Sequence, residues 1–124
     1  MLWRIGIGAI VMALCFMTPV ATRAGSSRCS PSQFKIQGTR GTIDSDVGYV
    51  YVTGTIINRC SEAAGVQVKI TAYDSAGTVI DTTDEWPDSV SNIPAGSSFP
   101  FKSMMRYQRG MKKFSVVPIS TQRW

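Results

Sequence analysis

Residues 49–77 read YVYVTGTIINRCSEAAGVQVKITAYDSAG, and two stretches within them alternate with the two-residue period of a β-strand. In residues 49–57, Val50, Val52, Gly54 and Ile56 take one face, and Tyr49, Tyr51, Thr53, Thr55 and Ile57 take the other. β-Branched and aromatic residues dominate both faces, which suits a pleated, packed surface. In residues 66–73, Val66, Val68, Ile70 and Ala72 alternate with Gln67, Lys69, Thr71 and Tyr73. That is the pattern of an antiparallel sheet with one dry and one wet face. Residues 58–62 form a polar break between the two stretches, and Asp74, Ser75, Ala76 and Gly77 supply turn chemistry after the second. Gly54 inside a strand marks a bulge or the close approach of another backbone.

The flanking segments extend this pair. Residues 33–37 alternate as a short strand, with Phe34 and Ile36 on one face. Residues 38–48 hold three glycines and two aspartates and read as a loop. Residues 78–82 return as a strand and make a hairpin with 66–73. Residues 83–90 are acidic and broken by Pro87, and residues 91–96 form another turn. Residues 99–105 and 114–119 are the remaining strands, joined by a basic linker around Gly110. Pro118 assigns the last strand to a sheet edge or places the residue at the strand's end. No stretch sustains helical periodicity with caps. The expected fold is all-β: a small antiparallel immunoglobulin-like β-sandwich over residues 33–120, with a tail at 121–124.

The first residues do not belong to that domain. Arg4 precedes an uncharged, mostly apolar run over residues 5–17, followed by Thr18, Pro19 and a series of small residues. This is the order of a secretory signal peptide over 1–24, followed by a flexible lead-in at 25–32. Cleavage is expected after Ala24, with Ala21 the alternative. The apolar run is about 13–15 residues, short of the roughly 18–20 that span a bilayer. An uncleaved N-terminal anchor is the rival reading. Removing 1–24 takes away Arg4 and Arg23, leaving 11 basic and 8 acidic groups and a net charge of +3. The expected location is periplasmic or secreted, with no stable membrane span after signal removal. Cys15 leaves with the leader, so Cys29 and Cys60 remain as an even pair in an oxidising compartment, and a disulfide between them is expected.

The chain has no histidine. That removes histidine-based triads, histidine general bases and most zinc sites. With the cysteines paired, a thiolate nucleophile is excluded as well. The clustered carboxylates Asp81, Asp84, Glu85 and Asp88 fit no calcium-loop spacing and read as a solvated acidic loop. No catalytic residue, metal site or cofactor is expected. Charge is uneven along the chain: residues 89–124 hold six basic groups and no acid. Lys102, Arg106, Arg109, Lys112 and Lys113 are therefore candidate contacts to an anionic surface or an acidic partner, against the plainer reading of a solvated edge. Export disfavours nucleic acid. Met104, Met105 and Met111 either soften that surface or fill core gaps. Trp86, beside Pro87, is a candidate binding anchor or a plug over one end of the core. Five or six short strands do not close a membrane barrel, so Trp124 is not read as a barrel terminus.

The middle of the chain carries Gly54, Ile56 and Asn58 at the end of one strand. Ile70, Ala72, Tyr73, Asp74 and Gly77 follow in the next, then Ile93, Pro94, Gly96 and Phe101. Over roughly residues 50–102 this resembles the FxLYD family of small exported bacterial domains. Ile70 stands where that family has Phe, and Ala72 where it has Leu. The resemblance implies a sandwich fold and a non-catalytic, envelope-associated module of no common activity. The expectation for function is thus an exported non-enzymatic module that binds an envelope protein or an anionic surface. The alternative is an assembly accessory that pairs an edge strand, residues 114–117, with a protein partner.

Overall fold

The computed structural model describes residues 28–88 and 91–124, so the predicted signal peptide at 1–24 lies outside the described residues. Six strands form two antiparallel three-stranded sheets. Sheet one is ordered β1 (Phe34–Asp44), β2 (Tyr49–Asn58), β5 (Ser98–Arg106). Sheet two is ordered β4 (Val79–Glu85), β3 (Gly65–Tyr73), β6 (Lys113–Gln122). The two alternating stretches of the sequence do not pair with each other. Each is the central strand of its own sheet, which is where a strand can bury most apolar area. The chain makes hairpins at β1–β2 and β3–β4 and crosses between sheets after β2, β4 and β5. Placing the second strand between the first and fifth, and the third beside the sixth, matches neighbours in immunoglobulin-like sandwiches.

The inner faces follow the alternation. Val50, Val52 and Ile56 of β2 face Val66, Val68, Ile70 and Ala72 of β3, all essentially inaccessible to solvent. Phe34, Phe101 and Met105 complete sheet one's contribution, while Phe114 and Val116 pack from β6. Ala64, Ile93 and Met111 close the core from the connections. The β3–β4 hairpin forms as expected: Asp74 Oδ1 accepts from the backbone N–H of Ala76 at 2.9 Å and of Thr78 at 2.8 Å.

Four expectations are corrected. Residues 38–44 are not loop. β1 continues to Asp44, and only residues 45–48 turn. Between Gln37 and Arg40 the register slips, so Gly38 and Thr39 together oppose Gly54. Gly38 takes φ 68°, a conformation open to glycine, and this bulge lets the strand run on despite its poor composition. Gly54 thus faces a bulge on its neighbour, and its own missing side chain makes room for the Phe101 ring. Secondly, β4 extends through Glu85, so the first three residues of the acidic segment, with Asp84 and Glu85, are strand. Thirdly, the part of the lead-in that is described is held in place. Cys29 is buried, residues Pro31–Gln33 form a 3₁₀ turn with a capping box, and Arg59 N–H bonds Gln33 O at 2.8 Å. Fourthly, the tail is partly strand, because β6 pairs through Gln122 with Gly65. β6 is an edge strand, consistent with Pro118, and slips register there against Gln67 and Val68.

Candidate binding face

Alternation on β2 sends Tyr49, Tyr51, Thr53 and Thr55 away from the core, and pairing decides what stands beside them. On β5 the outward positions are Pro100, Lys102, Met104 and Arg106. Tyr49 lies opposite Arg106, Tyr51 opposite Met104 and Thr53 opposite Lys102. On β1 the outward positions opposite β2 are Lys35, Gln37, Arg40, Thr42 and Asp44. The outer face of sheet one therefore carries four exposed cations, Lys35, Arg40, Lys102 and Arg106, around two tyrosines, with Asp44 as its one carboxylate. Lys102 Nζ sits 4.5 Å from the centre of the Tyr51 ring. A cation over an aromatic face at that distance is attracted by the ring quadrupole, by about 0.5–1 kcal/mol at an exposed site. The contact favours a Lys102 position above the Tyr51 ring while leaving the ammonium exposed.

The outer face of sheet two differs. There Lys69 pairs in register with Asp84 and Val117, and Thr71 with Thr82 and Ser115. Tyr73 Oη and Ser115 Oγ hydrogen-bond at 3.1 Å. Lys113, opposite Tyr73, stands on the same face, which thus sets two cations and Asp84 among hydroxyls, against four cations and one carboxylate on sheet one.

The structure divides the candidate residues into three places. Lys102 and Arg106 lie on the face of sheet one. Arg109 and Lys112 lie on the β5–β6 connection and Lys113 opens β6, at the end of the sandwich shared with the β1–β2 and β3–β4 turns. Tyr107 N–H bonds Gly48 O at 2.8 Å and Lys112 N–H bonds Tyr73 O at 2.7 Å, which brings this connection against both turns. Those turns and β4 bring Asp44, Asp46, Asp74 and Asp81 to the same end, and Gln108 Nε2 donates to Asp81 Oδ2 at 3.0 Å. The basic run thus lies at the same end of the sandwich as acidic groups from the N-terminal half. Met105 and Met111 are buried, and only Met104 projects outward.

Trp86 lies towards the opposite end, just after β4. Its ring meets Trp124 edge to face, centroids 5.6 Å apart. Trp124 is held there by a reciprocal pair with Asn92: Trp124 N–H donates to Asn92 Oδ1 at 2.9 Å and Asn92 Nδ2 donates to Trp124 O at 3.0 Å. Its indole lies so close over Gly65 that a Cβ there would come within 2.6 Å of Nε1. Asp88, two residues beyond Trp86, has its carboxyl raised above the ordinary value by burial.

Cys29 and Cys60 form a disulfide with Cα atoms 5.7 Å apart. Among the described residues, no group of three or more His, Cys, Asp or Glu side chains is placed to hold a metal ion. Likewise no helix among them is long and apolar enough to cross a membrane. The disulfide is compatible with an extracellular or periplasmic location. No protein-family model, curated protein or solved structure matches the chain.

Sequence reasoning missed Lys35, Arg40, Tyr49 and Tyr51 as members of a site. The signal available for Lys35, Tyr49 and Tyr51 was parity, since each alternates with core positions; Arg40 shares the parity of Phe34 and Ile36 and is turned outward only by the bulge at Gly38 and Thr39. What was lacking was strand order, because only the β1-β2-β5 pairing gathers them with Lys102 and Arg106.

Proposed function

We propose that the protein is an exported, non-catalytic β-sandwich module that binds an anionic component of the cell envelope through the outer face of sheet one. The observation that carries this reading is the gathering of Lys35, Arg40, Lys102 and Arg106 around Tyr49 and Tyr51, with Asp44 as the one opposing carboxylate. A surface of one sign concentrates oppositely charged partners and speeds encounter. The leader composition over 1–24 and the disulfide support export, and the resemblance to FxLYD domains supports a module without catalysis. Edge-strand pairing by residues 114–117 has less room, since Phe114 packs against Gly41 and β1 runs alongside β6.

The test is retention of the purified mature chain on isolated envelope fragments across a salt series. The double substitution Arg40→Glu with Lys102→Glu is expected to weaken retention at least tenfold at low salt, with wild-type retention falling steeply as salt rises. Lys112→Glu with Lys113→Glu is expected to change it by less than about twofold, because Lys112 lies on the β5–β6 connection and Lys113 on sheet two, away from the proposed face. Retention that ignores salt, or that responds only to the second pair, refutes the assignment of the face.

A further inference from the structure

We infer that the ligand of this face, taken as the binding surface proposed above, is a linear anionic polysaccharide. The outer surface of sheet one is a strip about 30 Å long, given the ten residues of β2 and a rise near 3.3 Å per residue. Its cations stand on both outer strands and leave the middle strand to tyrosines and threonines, with Ile57 at its end. Arg40 and Lys102 flank Thr53 in one row across the sheet, about 10 Å apart by strand spacing. Four residues along β5, Arg106 stands opposite Tyr49. Charges at such intervals match a chain whose carboxylates recur at intervals rather than a single compact anion.

The middle strand chooses among polyanions. Tyr49 points outward and is 38% exposed, an aromatic side chain within reach of the C–H surface of a sugar. Thr42, Thr53, Thr55 and Gln37 set hydroxyl and amide groups between the cations, where sugar hydroxyls would sit. A lipid surface would call for exposed apolar side chains projecting from the face, and there Met104 alone is exposed, with Ile57 half-buried. The exposed Val47 and Val79 lie at the turns instead. A purely acidic peptide such as polyglutamate would satisfy the cations but brings no ring to Tyr49 and no hydroxyls to the threonines.

The test measures binding of the mature, oxidised chain to three probes: polygalacturonate, polyglutamate and phosphatidylglycerol vesicles. Polygalacturonate is expected to bind tightest. Tyr49→Ala should weaken it roughly tenfold while changing polyglutamate binding less than about twofold, since only the sugar uses the ring. Tyr49→Thr, which keeps strand propensity, should reproduce the effect if the alanine variant melts early. Lys102→Glu should weaken both polymers. Equal binding of the two polymers with no effect at Tyr49, or a preference for vesicles, overturns the glycan assignment while leaving an anion-binding face. Failure of Lys102→Glu to alter the binding of any probe overturns the face itself.

Discussion

Asn58 is the residue on which the crossover between sheets depends. Its side chain is fully buried, yet every polar group on it is engaged. Nδ2 donates to Glu62 O at 2.9 Å and to Ile93 O at 2.8 Å, and Oδ1 accepts from Cys60 N–H at 2.8 Å. Its backbone bonds Ser97 O and Gly96 N–H. From the sequence it reads as turn punctuation. In the fold it holds the β2–β3 connection, the β4–β5 connection and the disulfide segment together. Asn58→Ala would leave the Cys60 N–H and Glu62 O without their side-chain partner and Ile93 O with the Ala64 N–H alone, so a loss of about 2–3 kcal/mol in urea-unfolding stability is expected. Asn58→Asp should be no better, since a carboxylate cannot donate to the two carbonyls. Ser103 is the counter-case. It is 2% exposed on the inner face of β5 and its Oγ has no hydrogen-bond partner. Ser103→Ala is therefore expected to leave stability unchanged or raise it by up to about 1 kcal/mol in the same assay. A buried hydroxyl and a buried amide look alike in a polarity pattern, and only the partners around them give opposite signs.

At the scale of elements, β1 decides how the sandwich closes on one side. Its first half was legible from Phe34 and Ile36. Its second half was hidden, because glycines and aspartates signal a loop and the bulge at Gly38 and Thr39 breaks the two-residue period. The continuation is stabilised from outside the strand: β2 supplies the ladder through Tyr49, and β6 lies alongside. Gly41 is the point of closure. A Cβ there would collide with Cδ2 and Cε2 of the Phe114 ring. Gly41→Ala is expected to cost about 1–3 kcal/mol by overpacking. Combining it with Phe114→Leu should cost less than the sum of the single changes, because the smaller side chain vacates the same space. Strict additivity in a double-mutant cycle would show that the two residues do not meet.

For the whole molecule, the disulfide joins the segment before β1 to the end of β2 across 31 residues. Thr121 Oγ1 donates to Cys29 O, so the same anchor reaches β6. Loss of the bond, by Cys29→Ser with Cys60→Ser or by reduction, is expected to lower unfolding free energy by about 3–4 kcal/mol in the chain-entropy model. A domain of this size has little core stability to spare, so the oxidised and reduced forms should differ clearly in melting temperature. Charge shows how the fold rearranges what the sequence orders. Along the chain, acid precedes base, which suggests a basic C-terminal third. In space, the connections return Arg109, Lys112 and Lys113 to turns that carry aspartates, while β5 delivers Lys102 and Arg106 beside β1 and β2. The all-β class, the β3–β4 hairpin, the inward faces of β2 and β3 and the pairing of Cys29 with Cys60 were set by local pattern and cysteine count. These depend on a two-residue period and on short-range turn chemistry. Strand order, the length of β1, the role of Asn58 and the membership of the basic face were decided only by tertiary structure. Each of them rests on contacts between segments far apart in the chain, and side-chain alternation within a strand says which way a residue points but not which strand stands next to it.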